Sequence, residues 1–222
     1  MKSARADQFL IQGGILKGYR EDPRVTDVFI PDGVTRIDND SFRNCTSVVR
    51  VHMPDSVTII GVEAFSGCTG LETVDFSQGL RDILPRAFMN CTKLARLSFP
   101  ENLGSIGEFA FGGCSGLVEL DLPDKLDYVA DHAFHACSSL TNVRLSPYLE
   151  LDMEQVFDGT PYLEKACLSP DDTDQVPSES DRSEDDMPEE SDAGCDGLDT
   201  RAMLDVVRNH VPGLSKADVM KR

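Results

Sequence analysis

Seven Cys and four His carry most of the reactive chemistry open to this chain, and their spacing decides which kind. Cys45, Cys68, Cys91, Cys114 and Cys137 recur every 23 residues, while Cys167 and Cys195 stand outside the series. The count is odd and no Cys-x-x-Cys pair occurs, which argues against a zinc site and a complete disulfide framework. Ladder neighbours about 5 Å apart would be within bonding distance, yet side chains pointing the same way into a core make poor bridges. Five buried, unreactive thiols acting as small apolar groups are expected, with Cys167 and Cys195 the more reactive pair. His132 and His135 lie three apart beside Asp131 and Cys137, on columns expected to be solvated. No further ligand is evident, so no metal site and no cofactor is expected. No His has a Ser or Cys nucleophile at a defensible spacing, and the chain is read as a non-enzyme.

The same period runs through the apolar residues and dictates the elements. Phe42, Phe65, Phe88, Phe111 and Phe134 each precede a ladder Cys by three residues; Phe157 continues the series with Thr160 in place of Cys. Val48, Leu71, Leu94, Leu117 and Leu140 follow three residues after each Cys. Further columns are Val51, Val74, Leu97, Leu120 and Val143, then Ile30, Met53, Phe76, Phe99 and Leu122, then Ile37, Ile60, Ile83, Ile106 and Val129. So many columns in phase identify a solenoid. Thr73-Val74-Asp75 alternates as a strand with one buried face, and the Pro or Ser that follows each such strand ends its pairing. Residues 57–60 predict a second extended piece, residues 62–66 one helical turn, and residues 67–70 the return. Twenty-three residues leave no room for a crossover helix, so successive strands stack in parallel about 4.8 Å apart.

This pattern resembles the BspA-type leucine-rich repeat, whose units read aliphatic-Pro-x-x-aliphatic-x-x-Ile-x-x-x-Ala-Phe-x-x-Cys-x-x-Leu. Met53-Pro54-Asp55-Ser56-Val57 and Glu63-Ala64-Phe65-Ser66-Gly67-Cys68-Thr69-Gly70-Leu71 fit it at nearly every position. The resemblance covers six units, 30–52, 53–75, 76–98, 99–121, 122–144 and 145–167, or 138 of 222 residues. It implies an arc-shaped leucine-rich-repeat solenoid with a parallel sheet on the concave face and short helical or 3-10 turns on the convex side. It also implies a role in protein recognition and surface adhesion, with no catalytic residues in the repeat.

The ends depart from the pattern. Residues 1–29 are read as an N-terminal cap, a degenerate repeat with a hairpin turning at Gly13-Gly14 that seals an exposed sheet edge. The solenoid spans 30–168, and its last unit, with Asp152, Val156 and Thr160 off-pattern, is read as the C-terminal cap. The formal net charge of −18 is concentrated beyond it. Residues 169–200 hold 13 acids against Arg182, three Pro and no aromatic, so 169–197 is read as a disordered acidic linker. Asp171-Asp172-Thr173-Asp174 lacks the Gly and Glu of a calcium loop. In 198–222, Met203, Leu204, Val207 and Val211 share a helical face, predicting a short helical segment with a local charge of +3.

The outward strand positions form the candidate partner-binding surface on the concave face: Arg50, His52, Thr73, Asp75, Arg96, Ser98, Glu119, Asp121, Asn142 and Arg144. Asp27, Phe29, Lys165 and Cys167 share that register. The charges on this face balance, Arg is favoured at binding hot spots, and a rigid sheet presents such groups at little ordering cost. The expected function is therefore a non-catalytic module that binds a protein partner. The alternatives are a scaffold for a regulatory or nucleic-acid-binding C-terminal segment, and an adhesin-like cell-surface protein. Acidity disfavours nucleic acid on the solenoid, and no apolar run approaches the ~18–20 residues of a membrane span. The N-terminal residues show no secretory leader, which with the free Cys ladder predicts a cytoplasmic location; the resemblance points to the cell surface.

Overall fold

A branched or aliphatic residue between two polar ones, repeated every 23 positions, gives each turn of the chain a short strand whose inner side chain meets its copy one turn on. The computed structural model describes residues 4–146 and 149–167, with backbone only for the last two. β3 (Asp27–Phe29), β5 (Arg50–His52) and β7 (Thr73–Asp75) form one parallel sheet, pairing Val28, Val51 and Val74 in register. β10 (Glu119–Asp121) and β12 (Asn142–Arg144) form another, pairing Leu120 with Val143. A third sheet takes the second extended piece of each unit: β4 (Arg36–Ile37), β6 (Ile59–Ile60), β8 (Asp82–Ile83), β9 (Ser105–Ile106) and β11 (Tyr128–Val129), all parallel. Its N-terminal end is the antiparallel hairpin of β1 (Phe9–Gln12) and β2 (Ile15–Tyr19), which turns at Gly13 and Gly14 with φ of 56° and 76°. β2 pairs with β4, so the hairpin extends the solenoid's own ladder. The parallel-sheet solenoid expected from the repeat is the fold.

The core is a set of stacked columns. Phe42, Phe65, Phe88, Phe111, Phe134 and Phe157 are each fully buried. Their rings stack nearly parallel at 4.7, 5.0, 5.2, 5.4 and 5.6 Å between successive centroids. Tyr19 closes the stack at one end, 4.8 Å from Phe42, and Tyr162 meets Phe157 edge-on at 5.3 Å. Beyond area burial, each aromatic pair contributes about 0.5–1.5 kcal/mol. Beside the rings run the columns Ile37, Ile60, Ile83, Ile106 and Val129, and Val48, Leu71, Leu94, Leu117 and Leu140, all buried.

Three local expectations are corrected. Residues 62–66 do not make a helical turn. Each unit instead makes consecutive tight turns, with positive φ at Asp40, Glu63, Arg86, Phe109 and His132, and again at Asn44, Gly67, Asn90, Gly113, Ala136 and Gly159. These turns ladder too: Phe65 N–H donates to the Ala87 carbonyl at 2.7 Å, Phe88 to Ala110 at 2.7 Å and Phe111 to Ala133 at 2.8 Å. Left-handed backbone costs an L-residue about 1–2 kcal/mol unless it is Gly or, less so, Asn. Ala136, at φ 54°, is the misfit of its column. Ala136→Gly should raise stability by about 1 kcal/mol in urea denaturation.

The second correction concerns Arg96 and Ser98, which lie outside any strand. The unit's first piece makes only an isolated parallel bridge, Arg96 to Glu119, so the first sheet is interrupted between β7 and β10. The break coincides with Phe76 and Phe99, which stack at 5.5 Å and set their rings edge-on to Phe88 and Phe111. Elsewhere that column carries smaller Ile, Met or Leu. The third correction is at Lys165 and Cys167, which belong to a helix rather than a strand. α1 (Met153–Val156) is capped by the Asp152 side chain, which accepts from the Gln155 N–H. α2 (Pro161–Cys167) begins with Pro, whose missing N–H is harmless there. Thr160, standing where Cys is expected, accepts the Leu163 N–H at 3.2 Å and donates to the Phe157 carbonyl at 2.7 Å. A hydroxyl in the Cys column thus starts a helix. The acidic linker, the 198–222 segment and Cys195 lie outside the described residues, as does the Cys167 side chain.

Candidate functional site: the outward strand face

The inner residues of β3, β5, β7, β10 and β12 are buried or partly so, and the pleat turns their neighbours outward. Register then aligns these neighbours in rows. Asp27, Arg50 and Thr73 form one, and Phe29, His52 and Asp75 another. Glu119 sits opposite Asn142, and Asp121 opposite Arg144. Phe29 is 52% exposed and its ring stacks on the His52 imidazole at 4.2 Å, nearly parallel. His52 Nδ1 in turn contacts an Asp75 carboxylate oxygen. Aromatic ring, imidazole and carboxylate therefore make one continuous strip across three strands.

The cations differ in what they are free to do. Arg144 Nε donates to Asp121 Oδ1 at 2.7 Å, and Arg50 lies 3.6 Å from Asp27. The Arg144 pair is solvent-exposed and adds little stability, but both pairs occupy the guanidinium. Arg96 has no ion-pair partner among the described residues. It lines a shallow groove with Glu72, Thr73, Lys93 and Ala95, where the first sheet is interrupted. Asp27 departs from the outward set: it is buried, bonded to the Thr26 hydroxyl at 2.7 Å. Ser98 is exposed but outside any strand. The face is thus two patches of strand either side of a groove.

The ladder cysteines are free and buried. Their thiols also have partners that composition does not reveal. Cys68, Cys91, Cys114 and Cys137 each donate to the carbonyl of the Phe 26 residues earlier, at 3.0, 3.2, 3.2 and 3.3 Å. Burial pushes the thiols of Cys45, Cys91 and Cys137 up to about 12, and those of Cys68 and Cys114 upward as well. An unfolded thiol ionises near 9.0. The stability from burying neutral thiols is therefore fully present below pH 9 and is lost as pH rises from about 9 to about 12. Stability should fall steeply across that window, and thiol labelling at pH 8 followed by peptide mass spectrometry should leave all five ladder thiols unmodified. Rapid native-state labelling of the five would contradict the packing.

On the turn ladder, His132 and His135 are half-buried rather than solvated, and Asp158, one period beyond His135, joins them. Spacing within one unit could not bring Asp158 into view. The 23-residue column shared by His135 and Asp158 could have done so.

A solenoid of parallel strands with a rigid polar face and a core of Phe, Cys and Ile columns defines a repeat protein of the interaction or surface type. The chain belongs to the BspA type leucine-rich repeat region family, whose model matches six copies over residues 17–141 and 59–179. Among solved structures it is similar to a leucine-rich repeat protein of T. pallidum, with 34% identity, a TM-score of 0.61, and coverage of 66% of this chain and 72% of that one. A leucine-rich repeat protein of Bacteroides ovatus is 30% identical, with a TM-score of 0.57 over 64% of this chain and 40% of that one. A leucine-rich cell surface protein of Faecalibacterium prausnitzii is 34% identical, with a TM-score of 0.55 over 59% of this chain and 34% of that one. The chain thus spans well under two thirds of the latter two. No curated protein matches it. Among the described residues no helix is long and apolar enough to cross a membrane.

Proposed function

We propose that this chain is a non-catalytic recognition module that holds a protein partner against the outward face of β3, β5, β7, β10 and β12. The observation that carries this reading is the pairing of an exposed aromatic strip, Phe29 on His52, with Arg96 at the groove, which has no ion-pair partner among the described residues. Aromatic and Arg side chains dominate binding hot spots because they bury area and form directed bonds at low entropic cost. The core beneath them is buried and closely stacked, so little ordering is left to oppose binding. Arg96→Glu combined with Phe29→Ala should abolish affinity capture of the partner held by the wild-type chain, while circular dichroism stays unchanged. Equal capture by the folded double variant would move the site off this face.

Placement at the cell surface is a second reading, favoured by the likeness to the Faecalibacterium prausnitzii cell surface protein. Five free thiols support a reducing compartment instead. Protease shaving of intact cells separates the two: release of peptides from this chain places it outside, and their absence alongside a released surface control places it inside.

A further inference from the structure

His132, His135 and Asp158 converge from two successive turns of the solenoid, and one ligand atom from each lies within 4.8 Å of the others. Backbone bonds hold the three in place. His132 N–H donates to the Gln155 carbonyl at 2.9 Å, His135 N–H to the His132 carbonyl at 3.0 Å, and Ala136 N–H to the Asp158 carbonyl at 2.8 Å. His135 Nδ1 and Asp158 Oδ2 are 3.0 Å apart. Two ligands of a tetrahedral zinc, at bonds of about 2.0–2.1 Å, would stand ~3.3 Å apart. A second, independent observation is the His132 ring. Its Nδ1 is buried without a hydrogen-bond partner among the described residues. Phe109 stacks on it at 4.9 Å, and His135 meets it at 89°. A buried imidazole nitrogen left unpaired is unfavourable and marks a missing partner.

We propose that His132, His135 and Asp158 bind a divalent transition-metal cation of the zinc class, with the remaining coordination positions open to water. Two imidazoles and one carboxylate suit zinc, nickel or copper, whereas calcium and magnesium require oxygen-rich sets.

The test uses the full chain and aqueous Zn²⁺ in calorimetry, with Cu²⁺ broadening of imidazole NMR signals to locate the ion. His132→Asn removes the ring while keeping a residue that tolerates left-handed backbone, and Asp158→Asn keeps the shape of the carboxylate. Each should weaken Zn²⁺ binding by more than the ~10-fold minimum seen on losing even an outer partner. Ca²⁺ should not compete. Unchanged Zn²⁺ affinity in the His132→Asn and Asp158→Asn proteins, or Cu²⁺ broadening that spares His132 and His135, would overturn the proposal.

Discussion

Replacing Phe88 with Ala should destabilise the protein by about 3–5 kcal/mol, the range for emptying a fully buried aromatic site. Phe88 stacks on Phe65 at 5.0 Å and on Phe111 at 5.2 Å, and takes the edge of Phe76 at 5.8 Å. Its carbonyl also accepts the Cys114 thiol, and its N–H donates to Ala110. The surrounding backbone is tied by ladders on both sides, so the cavity cannot collapse far. In a solenoid each unit touches only its neighbours, so a break in the middle uncouples the two halves. A denaturation curve with a lowered midpoint and a broadened or split transition is expected. An unchanged curve would mean the ring stack contributes little.

Gly70→Ala should cost about 3 kcal/mol, at the upper end of ordinary overpacking. A Cβ there would lie 2.1 Å from the Thr46 carbonyl oxygen, 3.1 Å from its carbon and 3.2 Å from the Val48 carbonyl oxygen. All three are backbone atoms of the preceding unit, and none can rotate away. Gly116 repeats the contact, 2.7 Å from the Thr92 carbonyl oxygen. The equivalent positions in the intervening units carry Ser47, Lys93 and Ser139, so glycine alternates with larger residues along this column. Lys93→Ala, at an exposed position of that column, should be nearly neutral. Comparable losses in Gly70→Ala and Lys93→Ala would show that the close approach is not what the glycine serves.

Most buried columns were legible in the sequence, because burial repeats with the period and substitutes mainly within apolar types; buried Ser41 in the Ala column and Thr160 in the Cys column are polar exceptions, and the column Val34, Val57, Leu80, Leu103 and Leu126 was not singled out. Phe88, Cys91 and Ile83 announce their partners at 23 residues, and the structure stacks those partners. Backbone conformation was less legible. The left-handed residue of each turn is Asp, Glu, Arg, Phe or His, types with no shared preference for that conformation, and only the inter-unit ladder explains it. The lost strand at Arg96 coincides with the Phe76 and Phe99 rings, a packing arrangement that alternation does not reveal. The face residues were placed by alternation, yet their pairing depended on contacts across strands: Arg144 pairs with Asp121, whereas Arg96 has no ion-pair partner among the described residues. Asp158 stayed hidden because it joins the two His across a repeat boundary.

The outward strand face proposed as the recognition surface is probed by photo-crosslinking the full chain to its captured partner from two positions. Thr73 sits on β7 beside the groove, and Tyr128, 59% exposed, lies on β11 of the other sheet. A photoreactive residue at Thr73 should yield the crosslinked partner and one at Tyr128 should not; crosslinking from Tyr128 alone would place the partner on the other sheet.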